Sequence, residues 1–472
     1  MDTGLHWARR LYRRHLARYG WARRLKGIVV KAWLFWYLHV RHVMTWRVRY
    51  KAHLVKLALA QRAFIRSQTF ARITNRPLSG STVFLSLQPL ALYRQSAYSR
   101  VLTLAPAESV ELRMPYVYPA SYRDRFHRQS WRTAIPAVEA VEISGAEVMG
   151  RCEFVFTPQG AIHHDLYDFR VHLAGEEMNG LVSIETKNGV LARYVDGRIN
   201  KDRRSAEVEG AVPLLGWPTA NYVHWLTEYL PKLALVDEIP ELADLPLVVD
   251  ANLHPNILES LRLCNVHNRK LITLSSGEVL RLKRAIFITP TAYAPFDYRF
   301  AAKVERTGIT PDWAMFVPCA IHALRTKLLS SLTEGADTGA RRLFLRRNSH
   351  FRQMKNAEKV ENLLHACGFQ VVEPERLSFV EQVKLVATAE IIVAQAGAAL
   401  GNMLFAPQGC RIIILSTWSP YNNYYYFSNL ASILQQSCVY VLCNGSEQES
   451  NIHPAHRSPV VDIQILEEAI CQ

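Results

Sequence analysis

Apolar runs of four or five residues alternate with polar, helix-patterned stretches between residues 342 and 443, the most regular part of the chain. LFLRR (343–347) reads as a buried strand. A helix follows with Val360, Leu363 and Leu364 on one face, Asn356 as its cap and Gly368 at its left-handed close. QVVE (370–373) is the next strand, and Ser378 with Glu381 forms an S-x-x-E capping box before a further helix. That structural task is sufficient for Glu381. IIVA (391–394) then runs into the small-residue loop QAGAALG (395–401), a helix expected from about Asn402, and the strand RIIIL (411–415). The alternation predicts a Rossmann-like half with its ligand crevice at the carboxyl ends of the strands.

Upstream the period changes. From Ala137, AVEAVEISGAEVMG, RCEFVFTPQGAIHHD and LVSIETKNGVLARYVDG alternate at strand spacing, with turn signals at Ser144-Gly145, Pro158-Gln159-Gly160 and Asn188-Gly189. LPLVVD, NILESLRLCN, KLITL and AIFITP continue as strand, helix, strand, strand, which fits a parallel sheet. Residues 77–130, broken by Pro77, Pro89, Pro106, Pro115 and Pro119, read as a connection, and 291–340 as largely helical with a linker at Thr333 to Gly339.

Between these patterns lies GWPTANYVHWLTEYLPKLAL (216–235). Pro218 and Thr219 suit the opening of a helix to about Tyr229, which Pro231 ends or kinks. His224 and Glu228 share one helical face, where a carboxylate can fix an imidazole's tautomer and raise its basicity for general-base work. Periodicity alone favours the other reading, in which His224 and Trp225 pack in a helix interface and Glu228 is solvated.

Charge locates a further segment. Residues 1–80 hold 18 of the 56 Lys and Arg against a single acid, Asp2, while the remainder is nearly balanced. Residues 1–76 read as a basic amphipathic helical extension with Trp7, Trp21, Trp33, Trp36 and Trp46 among the arginines, a pattern suited to an anionic membrane surface or a partner protein. Ile28 to Val40 is too short for a span, and no secretory leader is read. Nucleic acid is not expected as a partner, since no base-reading module follows. The eight cysteines show no C-x-x-C pair, and Cys438 and Cys443 read as strand neighbours in a reducing cytoplasm.

Ala394, Ala396, Gly397, Ala398, Ala399 and Gly401 leave backbone amides uncovered at a helix start, which favours an anion. The loop is neither a Walker nor a G-x-G-x-x-G sequence. Arg346, Arg347 and Arg352 would stand at the mouth of the same crevice, where guanidinium forks match diphosphate oxygens. No metal is expected: His163 and His164 lie adjacent on a presumed strand, where alternation would turn them to opposite faces.

The ordered blocks NYVHWLTEYLPKL, FLRRNSHFRQMKN, CGFQVVEPERLSFVEQVKL and EIIVAQAGAALGNMLFAPQG resemble glycosyltransferase family 61 over roughly Ile135 to Tyr440. The resemblance implies an α/β fold of GT-B type, two Rossmann-like domains facing a cleft. Their expected bounds are 135–332 on the acceptor side and 340–472 on the nucleotide-sugar side, with 77–134 connecting them to the extension. It implies an inverting, metal-independent transferase without a cofactor, using a nucleotide sugar, expected to be a UDP-sugar, and a glycan or lipid-linked glycan acceptor. A role in capsular or other cell-surface polysaccharide synthesis, with assembly partners, on the cytoplasmic face of a bacterial inner membrane follows from the same likeness and the basic arm. The family's N-x-x-H-W-x-x-E block matches Asn221, His224, Trp225 and Glu228. His224 and Glu228 are thereby the expected catalytic residues, with Asn221 and Trp225 on the acceptor side. The expected donor set is Arg346, Arg347, Arg352, Asn356, Gln395, Gly397, Ala398, Ala399 and Asn402. Many members carry histidine immediately before the loop glycine, where this chain has Ala396. That departure keeps a second class open, a non-catalytic glycan-binding or scaffold subunit.

Overall fold

The computed structural model describes residues 83–94, 100–126, 130–158, 160–166, 182–185, 190–193, 207–295, 309–332, 341–348, 352–420, 422–446, 449 and 457–471. The basic stretch 1–76, the Asn188-Gly189 turn and the 333–339 linker lie outside them. Residues Pro77–Ser446 and Ser458–Gln472 form one compact unit that contains two large sheets.

Among the described residues the first sheet has eleven strands. Its parallel part runs Leu271–Leu274, Leu247–Asp250, Val208–Leu214 and Val279–Ile288 side by side. Leu247–Asp250 is buried along its whole length, as expected of a parallel strand covered on both faces. Val279–Ile288 then pairs antiparallel with the long strand Val138–Met149, from Val279 opposite Met149 to Ile288 opposite Ala140. The hairpin of Val155–Thr157 and Gly160–His163 extends the sheet beyond it.

The second sheet is parallel through Gln370–Val372, Arg342–Leu345, Ile391–Gln395, Arg411–Thr417 and Ser437–Gly445, in that spatial order. Strand alternation divides its side chains between two cores. Phe344, Val393 and Ile413 face the helices Ala357–Ala366 and Ile463–Cys471, while Leu343, Leu345, Ile392 and Ile412 face the core shared with the first sheet. After Arg342–Leu345 the chain steps outward to Gln370–Val372 and then returns to the other side as Ile391–Gln395. The order therefore reverses between Arg342–Leu345 and Ile391–Gln395, and at such a point the carboxyl ends of the strands part and leave a crevice.

Local signals are realised closely in this half. Ser378 and Glu381 make the reciprocal capping box, and Gly368 adopts φ +78 directly after the helix it closes. Asn356 precedes its helix without a side-chain cap; its amide instead donates to Val461 O (2.8 Å) and accepts from Val461 N (3.0 Å), fastening the C-terminal segment. Cys438 and Cys443 lie on the strand Ser437–Gly445 and are free thiols.

Two readings change. The supposed connection supplies Val83–Pro89 and Val101–Ala105 to the first sheet and Tyr116–Tyr118 to the second, because its prolines punctuate short strands: Pro89 ends one, Pro106 follows another, and Pro115 and Pro119 bracket the third. Helix within 291–332 is confined, among the described residues, to Pro311–Trp313 and Pro318–Leu332, since Ala292–Tyr293 pairs with Met315–Phe316.

The sheets meet through close packing. Arg325 Nη1 donates to Leu404 O (2.6 Å) and Ala406 O (2.7 Å), Asn256 Nδ2 to Leu377 O (2.9 Å), and the Phe379 amide to Glu259 Oε2 (2.7 Å). At the closest approach, a Cβ on Gly401 would stand 3.2 Å from Val223 Cα and 3.3 Å from Leu226 Cδ1. Backbone on that side cannot yield as a side chain could. Gly401→Ala is expected to lower unfolding stability by about 1–3 kcal/mol, measured by denaturant titration; an unchanged midpoint would show that the two elements separate freely.

Candidate active site

Asn221 opens the segment that carries His224: its side chain accepts from the Val223 amide (3.2 Å), and one α-turn follows at Tyr222–His224. Trp225–Tyr229 is a π-turn, in which the Leu230 amide reaches back five residues to Trp225 O. The α-helix resumes over Leu230–Val236 and so passes through Pro231, where a helix end or kink is expected from sequence. Pro231 falls in the first turn of the resumed helix, where a missing N–H is tolerated.

Upstream, the segment is pinned by Asp250 at the carboxyl end of its strand. This buried carboxylate accepts from Gly216 N (3.1 Å), Thr219 Oγ1 (2.7 Å) and Arg151 N (2.5 Å). Burial pushes its pKa up, against those hydrogen bonds.

His224 Nδ1 lies 2.6 Å from Glu228 Oε1. Burial alone would lower the imidazole pKa, but the charge and hydrogen bond of Glu228, with a further contribution from Glu153, leave it above its ordinary value. With Nδ1 engaged by the carboxylate, Nε2 is the nitrogen left to take a proton. Tyr426, from the helix Tyr425–Ile433, closes over the pair with its ring 5.6 Å from that of His224. Thr227 donates to Val223 O (2.7 Å), so the Tyr426 hydroxyl directs its proton to Thr227 Oγ1 (2.9 Å), with Glu228 Oε1 at 3.4 Å as a second acceptor.

The opposite wall is formed at the strand-order reversal. Arg347 follows the strand Arg342–Leu345, and its guanidinium lies against Gly397, where an added Cβ would come within 2.7 Å of Nη1. Arg352 has the left-handed φ of +57, uncommon for a bulky residue, and its carbonyl accepts from Gln395 Nε2 (2.6 Å). Burial, then the nearby Arg347 charge, pushes the Arg352 guanidinium down to about 10. Two half-buried cations that destabilise each other in this way are stabilised by an anion between them.

The loop turns into a helix sooner than expected: Ala398–Phe405 is a 3₁₀ helix, whose first bond is Leu400 N to Gly397 O (3.1 Å). The amides of Ala398 and Ala399 precede that bond and stand at the helix start.

His224, Asn221 and Arg352 line one cleft of about 250 Å³ with Ala396, Gly397 and Ala398. Other expected residues do not join them. Trp225 is fully buried, stacked on Tyr229 and donating to Ser260 Oγ (2.9 Å), so it serves the core. Arg346 turns to Glu361 (3.2 Å) and Glu373 (3.6 Å) and lines a separate groove with Gln370 and Arg376. Asn356 is committed to Val461, as described. Asn402 is buried, accepting from Tyr222 OH (2.9 Å) and donating to Gln382 Oε1 (2.8 Å), a strut between the two halves.

Sequence reasoning missed the far side of the cleft, formed by Ser416, Asn422, Asn423, Tyr424, Tyr426 and Phe427. The amide- and tyrosine-rich run NNYYYF, a few residues after the strand Arg411–Thr417, was the available signal. It also misjudged His163 and His164. His163 is the last residue of its strand and His164 has left it, so strand alternation does not apply and the two rings lie side by side with centroids 4.0 Å apart.

The family model described as Glycosyltransferase 61 matches residues 222–413, which include His224, Glu228, both crevice arginines and the small-residue loop. No curated protein matches the chain. The family match supports a glycosyltransferase, a class that binds a nucleotide-sugar donor and a glycan acceptor.

Because the atom met by a Cβ at 397 is the end of a flexible side chain, Gly397→Ala is expected to keep the fold while displacing Arg347. The melting temperature should stay near that of the parent and nucleoside-diphosphate affinity should fall by about tenfold or more, the scale of one lost charge-assisted hydrogen bond. Calorimetry showing undiminished affinity would remove Arg347 from the anion site.

Proposed function

We propose that this chain is an inverting glycosyltransferase, which moves a sugar from a nucleotide-sugar donor, a UDP-sugar in the first instance, to a glycan acceptor. The observation that carries the proposal is that His224, paired with Glu228, lines one cleft with Arg352 and the loop Ala396 to Ala398, against which Arg347 lies. A base and an anion cradle on facing walls are what an in-line displacement at an anomeric carbon requires.

In the proposed reaction an acceptor hydroxyl gives its proton to His224 Nε2 as its oxygen bonds to the anomeric carbon. The bond from that carbon to the diphosphate oxygen breaks on the opposite face, which inverts the configuration. Glu228 holds the imidazole tautomer through Nδ1 and stabilises the imidazolium that forms. Arg347, Arg352 and the amides of Ala398 and Ala399 take up the charge of the departing nucleoside diphosphate, the task a metal performs in other transferases. The two sheets then correspond to the acceptor and donor halves of a GT-B-like enzyme. The basic residues 1–76 would hold it at the cytoplasmic face of a bacterial membrane, beside a lipid-linked or growing cell-surface polysaccharide.

His224→Ala should lower transfer by about 10²–10⁴-fold with nucleotide affinity nearly unchanged, assayed by product formation and calorimetry together. Transfer retained by this variant would place the base elsewhere, and loss of donor turnover in the parent protein itself would favour a scaffold role.

The sign of the pH dependence follows from the raised pKa of His224. The base form is populated only as pH rises through that pKa, so kcat/KM should climb with pH along a limb above the ordinary imidazole range. Glu228→Gln removes the charge that raises it, and should shift the limb to lower pH while reducing the plateau. A limb unmoved by Glu228→Gln would exclude His224 as the titrating group.

Deleting residues 1–76 should abolish partition onto anionic liposomes in flotation assays. Equal flotation of the shortened chain would show that the arm serves another partner.

A further inference from the structure

We propose that Glu153, His163 and His164 form a divalent transition-metal site, of the type that takes Zn²⁺, beneath the helix that carries His224. The inference stands independently of the transferase reading.

The three side chains offer one carboxylate oxygen and two imidazole nitrogens, all within 4.8 Å of one another. His163 Nε2 and Glu153 Oε2 are 3.4 Å apart. Neighbouring ligands on a tetrahedron with metal–ligand bonds of about 2.0–2.1 Å are separated by about 3.3–3.4 Å, so this edge already has the span a zinc ion needs. The remaining edges are within 4.8 Å, so binding would draw the His164 nitrogen toward the other two ligands. Imidazole and carboxylate together suit zinc and related first-row ions better than magnesium or calcium.

The surroundings have the character of a supported metal centre. His163 and His164 are buried at 4 % and 6 % exposure, and aromatic rings set their planes: Phe154 lies 4.6 Å from His163 and Tyr293 4.7 Å from His164. Glu153 also accepts a hydrogen bond from the Tyr229 hydroxyl, the kind of outer contact that orients a ligating carboxylate. A cavity of about 50 Å³ opens beside the cluster, with Glu153 and His164 in its wall, which leaves room for a water molecule as a fourth ligand. Glu228 and Lys232 line the same cavity.

Three parts of the fold would be joined at one point: the loop bearing Glu153, the end of the strand Gly160–His163, and through Tyr229 the π-turn that presents Glu228. Asp165, which follows the two histidines in sequence, takes no part; it accepts from the Ala91 amide (3.1 Å) and pairs with Arg94 (3.6 Å).

The test uses the untagged full-length chain, stripped with chelator and titrated with Co²⁺. Visible d–d absorption of a four-coordinate ion, saturating at one equivalent and displaced by Zn²⁺, is the expected result, with a rise in melting temperature on adding Zn²⁺. Glu153→Gln keeps the side-chain volume and His164→Gln nearly so, and each should weaken Co²⁺ binding by about 100-fold or more. Failure of the parent chain to bind Co²⁺ or Zn²⁺ stoichiometrically overturns the proposal. Binding that survives both substitutions does the same, because the ion would then be held by other residues.

Discussion

The absence of a side chain at position 401 is the constraint on which the site depends. It lets the turn after Gly397 settle directly on Val223, the residue before His224, with no intervening layer of side chains. His224 from one side and Arg352 with the loop Ala396 to Ala398 from the other consequently share one cleft of about 250 Å³. Asn402 fixes that contact by joining Tyr222 to Gln382, and buried polar groups satisfied on both sides hold such a register more tightly than apolar packing alone.

The geometry around His224 follows from the same contact. A π-turn widens the helix at Trp225–Tyr229, directs Trp225 into the core and leaves His224 in the cleft wall with Glu228 behind it on Nδ1. Such turns persist where neighbours enforce them. Here the neighbours are Ser260 on the indole, Glu153 on Tyr229, and Tyr426 bridging to Thr227 from the other sheet. Asp250 completes the frame by gathering Gly216, Thr219 and Arg151 at the start of the segment.

What the sequence disclosed was local. The capping box at Ser378, the closing Gly368 and the strands on either side of the small-residue loop each rest on interactions within a few residues, and all were legible. Residues whose place is decided by distant partners were not. Asn356 had the type of a helix cap but is claimed by Val461, more than a hundred residues away. Pro231 had the type of a helix breaker but is admitted by a π-turn that only tertiary packing sustains. Arg346 and Arg347 are adjacent, and nothing in their types says which enters the crevice; the pairing of Arg346 with Glu361 and Glu373 decides it. Tyr426 and Asp250 carry no motif, and tertiary packing brings them to the segment that holds His224.

Tyr116–Tyr118 has a consequence for how the molecule is assembled. It is the parallel neighbour of Ser437–Gly445, about 320 residues later in the chain, and Tyr118 is buried in the second core with Val439 and Val441. During synthesis this strand emerges long before the sheet that will receive it, and it must remain unpaired until the last large strand is made. Contacts at such separation form late and slow the search for the native state. The second half of the chain is thus not a self-sufficient piece: severed near residue 340, it would keep its arginines and its loop but expose an unpaired, apolar sheet edge, a template for association rather than for catalysis.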